Sequence, residues 1–238
     1  MILIQQLHKS FGKNHVLKGV DIAFSQPGIV AVLGPNGSGK TTLIKSILGM
    51  VLPDSGSIQL QGEDIKGRWL YRNQIAYLPQ IARFPENLTV AELLRMVKDL
   101  NTGIAHDTEL IAHFGIQDFL DSRLGNLSGG TRQKVNLVLT FMYDCPIIIL
   151  DEPTAGLDPV SIVRLKELIN QQRSLGKTII ITTHVMSLVE ELAEEVLFLL
   201  EGQLRFRGSL RQLKEQSGVE NVERAIASLL TTNLQASC

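Results

Sequence analysis

The stretch "GIVAVLGPNGSGKTT", residues 28–42, decides the fold. A short, wholly apolar run of strand length enters a glycine-rich turn, and the residues from about 40 to 50 read as a helix. Gly34 to Thr41 complete the pattern G-x-x-x-x-G-K-[ST] in the strand, loop and helix context that the pattern needs. Glycines let successive backbone N–H groups turn inward around an anion, and the helix N-terminus adds partial positive charge. The ligand implied is a nucleotide polyphosphate held by Gly34, Pro35, Asn36, Gly37, Ser38, Gly39, Lys40, Thr41 and Thr42. In this pattern Lys40 reaches the β and γ phosphates and the Thr41 hydroxyl meets Mg²⁺.

A second anion site stands far along the chain at "LSGGTRQK", residues 127–134, where a serine and two glycines open another helix. Ser128 suits the N-cap of that helix, and a cap leaves N–H groups aimed outward, so capping and anion binding are compatible there. Between this site and the tail, "PIIILDEPTAGLDP", residues 146–159, runs an apolar strand into adjacent carboxylates, Asp151 and Glu152. Neighbouring strand side chains point to opposite sides, so the two acids do not share one task. Asp151 suits a Mg²⁺ shell and Glu152 suits polarising an attacking water; the alternative is that both cap the helix after Pro153.

Apolar runs of strand length occur at about 1–8, 16–24, 28–33, 57–62, 75–79, 146–150, 177–183 and 195–200. Several are apolar throughout, as in a parallel sheet covered on both faces. Helical patterns fall at about 40–50, 90–99, 107–113, 131–143, 159–174, 187–193 and 209–215. The expected architecture is α/β, a parallel-sheet core with an antiparallel β layer from the first sixty residues. Residues 85–143 form an inserted helical subdomain in this reading. The tail places Val219, Val222, Ile226, Leu229 and Leu230 near one helical face, to be covered by its own domain or by a partner.

Composition narrows the classes. Of 238 residues 44% are hydrophobic and 20% charged, and a net charge of −1 offers no electrostatic footprint for nucleic acid. No basic segment followed by a long apolar run opens the chain, and "PIIIL" and "VLFLL" fall far short of a membrane span, so a soluble, unexported protein is expected. Cys145 and Cys238 make neither a metal spacing nor a disulfide framework.

The phosphate loop, "LSGG", "ILDEPTAGLDP" and the later "TTH", in this order and spacing, resemble the nucleotide-binding domain of ATP-binding cassette (ABC) transporters, over residues 1 to about 215. The resemblance implies a P-loop ATPase that hydrolyses ATP with Mg²⁺ and dimerises head to tail. Each ATP would then lie between one chain's Lys40 and the partner's Ser128, Gly129, Gly130 and Gln133. It implies catalysis by Glu152 with His184, which otherwise reads as a structural histidine at a strand end. It also implies metal contacts from Thr41, Asp151 and Gln80, and communication across the dimer by Asp158, which also reads as a turn starter before Pro159. Phe11 stands where related domains stack a ring on adenine, against the alternative of a core phenylalanine.

Partners implied are a second ATPase chain, most simply an identical one, and a separate transmembrane permease that would hold the chain on the inner face of the membrane. Its docking surface is expected at residues 81–92, with Phe84 and Leu88 as candidates for contact or for core. The short region after residue 215 resembles exporter-like subunits, and "LPQIARFPENLTV" bears a weak resemblance to the ATPase of the copper-processing system that matures nitrous-oxide reductase. The rival readings are a soluble ABC ATPase acting on nucleic acid or ribosomes, and a cassette that binds ATP without hydrolysis. One departure is specific: the family often reads Q-Q-R after "LSGG" with small alanines in the following helix, whereas "TRQKVNLVLTFMYDC" stands here, with Lys134 in place of arginine.

Overall fold

A computed structural model describes residues 1–219 and 221–235, with side chains to residue 228 apart from residue 220. The chain divides into two compact units: residues 1–73 with the chain from Thr178 onward, and residues 74–177.

The first unit carries an antiparallel sheet in the order β2-β1-β4-β5, made of β1 (Ile2–Phe11), β2 (Asn14–Phe24), β4 (Ser55–Leu60) and β5 (Glu63–Asp64). A second sheet region runs β10-β9-β3-β8, from β3 (Gly28–Leu33), β8 (Thr178–Thr182), β9 (Glu195–Leu200) and β10 (Gln203–Gly208). Strand β3 pairs in parallel with both β8 and β9, and all six of its residues are buried, which is why "GIVAVL" carries no polar side chain.

The edge strand β10 is absent from the sequence reading. It returns from β9 through Glu201 and Gly202, at φ 51° and 79°, with Leu200 opposite Gln203. A two-residue hairpin turn demands left-handed backbone at both positions, and glutamate lacks the asparagine or aspartate that usually announces it.

Helices α1 (Lys40–Ile47), α6 (Met186–Leu192), α7 (Leu210–Ser217) and α8 (Val222–Gln235) complete this unit. The expected boundary at residue 215 falls inside α7, which starts at a Ser209–Gln212 capping box and stops at Gly218 in the left-handed conformation. Val222 and Ala225 of α8 are fully buried against Val196, Phe198 and Phe206, with Ile226 partly so. The described part of the tail helix therefore covers its own unit. Leu229, Leu230 and Cys238 lie outside the described side chains.

The second unit pairs β6 (Ile75–Leu78) in parallel with β7 (Ile147–Asp151) and surrounds them with α2 (Val90–Asp99), α3 (Asp107–Phe114), α4 (Gly129–Phe141) and α5 (Pro159–Ser174). Residues 85–143 hold no strand among the described residues beyond an isolated Thr89–Arg123 bridge. The unit extends beyond that helical segment because α4 leans on β6, with Thr140 Oγ1 at 3.5 Å from the Tyr77 carbonyl. Helix α3 is likewise joined to α5, with a His113 ring nitrogen 2.9 Å from the Arg164 carbonyl.

Truncating Val222 to alanine removes two buried methyl groups and should lower the unfolding free energy by about 2 kcal/mol. A urea titration checks this, and an unchanged midpoint would show that α8 does not dock.

Candidate active site

In the first unit the phosphate loop is shaped by close backbone approaches. Gly34 sits at φ 148°, and a Cβ there would collide with the Leu199 carbonyl oxygen of β9. A Cβ on Gly39, at φ 105°, would stand 2.9 Å from Leu17 Cδ2 and 3.0 Å from the Val16 carbonyl oxygen of β2. Only glycine lets the turn fold this tightly.

No side chain caps α1, whose N-cap is Gly39, and its first turn holds no acid, so the positive end of the helix is not neutralised by its own residues. Lys40 curls over the loop, donating from Nζ to the carbonyls of Gly34 at 2.7 Å and Pro35 at 3.0 Å. Ser38 is 2% exposed, and its Oγ has no hydrogen-bond partner among the described residues. A buried hydroxyl without a partner, beside a lysine and an uncapped helix start, fits a phosphate oxygen. Thr41 is exposed at the first helical turn, where its hydroxyl can reach a cation.

Phe11 ends β1 opposite Asn14 and is 52% exposed, which removes the core reading and leaves a free ring face. Lys9 Nζ lies 5.3 Å from the ring centroid. The hairpin carrying Phe11 belongs to the strand whose Val16 and Leu17 meet Gly39. His184 is exposed in the loop after β8, next to buried Thr182 and Thr183. The Thr183 hydroxyl accepts from the Val185 N–H at 3.0 Å and shapes that loop.

In the second unit β7 delivers Asp151, 4% exposed, at its last position. Glu152 follows with φ 50°, a left-handed conformation costly for a side chain of this kind and held by the turn in which the Ala155 N–H reaches the Glu152 carbonyl at 3.2 Å. The chain thus leaves the extended conformation of β7 directly after Asp151. Gln80 is exposed just beyond β6. Burial, and secondarily the Asp151 carboxylate, push the Tyr77 hydroxyl up to about 12.

Ser128 caps α4, its Oγ accepting from the Thr131 N–H at 3.1 Å, while Ser128 and Gly129 themselves are exposed. A cavity of about 670 Å³ opens beside Ser128 and Thr131, lined also by Phe119, Arg123 and Asn126. Gly130 lies against the 153–158 loop: a Cβ there would stand 2.7 Å from the Gly156 carbonyl oxygen. Gln133 departs from expectation. It is 8% exposed and donates from Nε2 to the Pro153 carbonyl at 3.2 Å, one helical turn below the exposed face, so it supports the loop from inside instead of facing outward.

Asp158 is the N-cap of α5, accepting from the Ser161 N–H at 2.9 Å and Ser161 Oγ at 2.8 Å, and it pairs with Lys134 at 2.7 Å. The Lys134 ammonium, then Ser161, hold its carboxyl well below the usual range. Nothing local announces the pairing, because Lys134 and Asp158 are distant in sequence. Each unit thus gathers half of the expected residues: Phe11, the phosphate loop and His184 in the first, Gln80, Ser128–Gly130, Asp151, Glu152 and Asp158 in the second.

A family model described as ABC transporter matches residues 17–155, more than half of the chain. The chain belongs to this family. It is 32% identical over 231 residues to the ABC-type transporter ATP-binding protein EcsA of Bacillus subtilis (strain 168), covering 93% of this chain and 92% of that protein. It is also 32% identical over 225 residues to the lantibiotic transport ATP-binding protein SrtF of Streptococcus pyogenes, covering 94% of each. A solved structure of an ATP-binding subunit of an ABC transporter superposes with a TM-score of 0.89 at 30% identity, over 97% of this chain and 99% of that one. A dimeric ATP-binding cassette bound to ADP and Pi shares the fold, with a TM-score of 0.79 at 22% identity over 89% and 99% of the two chains. As an ABC ATP-binding subunit the chain is an ATPase.

Tyr77 gives this site a measurable titration. Its folded value lies above the unfolded one, so its contribution is complete below pH about 10 and is lost as pH rises toward about 12. Burial also raises the Tyr143 hydroxyl, so phenolate absorbance should show late ionisation with its last step near pH 12, and Tyr77→Phe should remove that last step. A normal titration in the folded protein would contradict the burial.

Proposed function

We propose that this chain is the ATP-hydrolysing subunit of a transporter, that two copies close head to tail around two ATP molecules, and that closure drives a separate transmembrane permease. The observation that carries this reading is the second anion site. Ser128 and Gly129 stand exposed at an N-terminus with no acid in its first turn, while the phosphate loop has its own lysine and its own helix end. One nucleotide held by one chain does not use both; a nucleotide shared by two chains does.

In this assembly Lys40, Ser38 and the loop backbone bind the phosphates, Phe11 offers its free face to adenine, and Ser128, Gly129 and Gly130 of the partner grip the γ-phosphate. Glu152 accepts a proton from the attacking water while His184 orients it. Thr41, Gln80 and Asp151 would hold Mg²⁺, which when bound neutralises charge on the β and γ oxygens. Gln133 is assigned a supporting place behind the grip. Asp158, at the rim of the same surface, carries communication between the chains.

The permease is assigned to the surface around residues 81–92, where Ile81 is 72% exposed and Phe84 and Leu88 are half-buried. No helix among the described residues is long and apolar enough to cross a membrane, which fits attachment to the inner face through that partner. Relatives are described as acting in lantibiotic transport and Nod factor export, which favours an exporter. Copper-enzyme maturation rests on the stretch "LPQIARFPENLTV" alone. No observation favours a nucleic-acid or ribosome partner.

Three variants test the shared site. Lys40→Ala should lose ATP binding; Ser128→Arg should keep ATP binding by the single chain and lose dimer closure and hydrolysis. Glu152→Gln should lower turnover by about a hundred-fold or more and accumulate an ATP-bound dimer on size-exclusion chromatography. Equal loss of binding in the lysine and serine variants would overturn the shared site.

A further inference from the structure

The 153–158 loop, which carries Asp158, is tied to the first turns of α4 at three successive points. Gln133 Nε2 holds its first carbonyl, at Pro153; the Gly130 backbone abuts its middle, at Gly156; and Lys134 Nζ holds its last residue, Asp158, at 2.7 Å. Asp158 divides its carboxylate between Lys134 on one helix and the N-terminus of α5 on the other. The Lys134 side chain is 21% exposed, so its ion pair is partly shielded from water.

We infer that Lys134 is a positioning residue for hydrolysis: by holding Asp158 it fixes the 153–158 loop to the helix end at Ser128, so that both present to the partner chain as one rigid surface. The inference rests on the head-to-tail reading above. It explains why a lysine suffices where a planar guanidinium is usual. The cap of α5 engages both carboxylate oxygens, Oδ1 through the Ser161 N–H and Oδ2 through Ser161 Oγ, and Lys134 meets Oδ2 alone, so a single point charge replaces a two-pronged grip. The contact also links this chain's two ends of the reaction. Movement of Ser128 on gripping the partner's γ-phosphate would pass through α4 to the loop that follows this chain's own Glu152.

The test is a double-mutant cycle of Lys134→Met and Asp158→Asn, the asparagine keeping the cap of α5 while removing the charge. Lys134→Met should leave ATP binding by the single chain unchanged and move the melting midpoint by about 2 °C or less. It should lower kcat on the order of ten-fold and bring the ATP dependence of hydrolysis to a Hill coefficient near unity. Lys134→Arg should restore both, and the double variant should lose no more than the worse single one.

Independent, multiplying losses would overturn the inference, and so would a loss of monomer ATP affinity like that of Lys40→Ala, which would make Lys134 a ligand contact. Activity that falls in step with the melting midpoint, in both Lys134→Met and the donor-keeping Lys134→Gln, would overturn it as well. Failure of the dimer reading is separate: the Glu152→Gln protein with native Lys134 would stay monomeric in ATP.

Discussion

The narrow turn at Gly34–Thr41, which leads straight into the uncapped start of α1, is the constraint around which the first unit is arranged. A helix end can face an anion only if the strand before it stops abruptly and the turn between them is narrow. The narrowness is enforced from three sides: Leu199 of β9 behind Gly34, Val16 and Leu17 of β2 beside Gly39, and the Gly202 N–H donating to the Ser38 carbonyl at 3.1 Å. The β9–β10 turn is thus part of the phosphate loop's wall. Its other face is fastened to β2, where the Lys18 N–H donates to the Gly202 carbonyl at 2.9 Å. The antiparallel layer and the parallel strands meet at this loop, and the burial of β3 follows from its place between β8 and β9.

The second unit is arranged around a helix. Successive turns of α4 reach different loops: Gln133 to Pro153, Lys134 to Asp158, Asn136 Nδ2 to the Pro79 carbonyl at 3.5 Å, next to Gln80. These side chains therefore supply polar links from the Ser128 end of the helix to the strand ends. A helix that is buried along most of its length and yet donates from several side chains is rigid in register, because a rotation would break these bonds together.

Much of this was legible in the sequence. Strand β3, the loop and α1 follow from a motif whose chemistry is local, and β7 into Asp151 follows from an apolar run ending in acids. What stayed hidden was non-local. The β9–β10 turn uses Glu201 at a position where left-handed backbone is normally announced by Asn or Asp, and its glycine is required by Val16, far away in the chain. The exposure of Phe11 could not be read from one residue, since a phenylalanine ending a strand is as often covered. The family resemblance puts Gln133 among the anion-binding residues, just after "LSGG". Helical geometry turned it inward, because positions 128 and 133 lie on different sides of the helix.

The two units hold their expected site residues by different means. In the first, the loop is set by backbone surfaces in contact, and any side chain larger than hydrogen at Gly34 meets a carbonyl that has nowhere to move. Such a collision costs on the order of 1–3 kcal/mol or more and removes the cradle altogether. In the second, the loop is set by individual side-chain bonds. Loss of the Gln133 bond leaves one buried carbonyl unsatisfied, about 1–3 kcal/mol, with the rest of the surface intact. The phosphate loop of the first unit is thus fixed by backbone contacts, whereas the 153–158 loop of the second is held by separate side-chain bonds, each of which can be removed without touching the phosphate loop. In the proposed dimer the nucleotide grip and the rigidity of the surface offered to the partner would then depend on different residues, and the Lys134–Asp158 pair belongs to the second set.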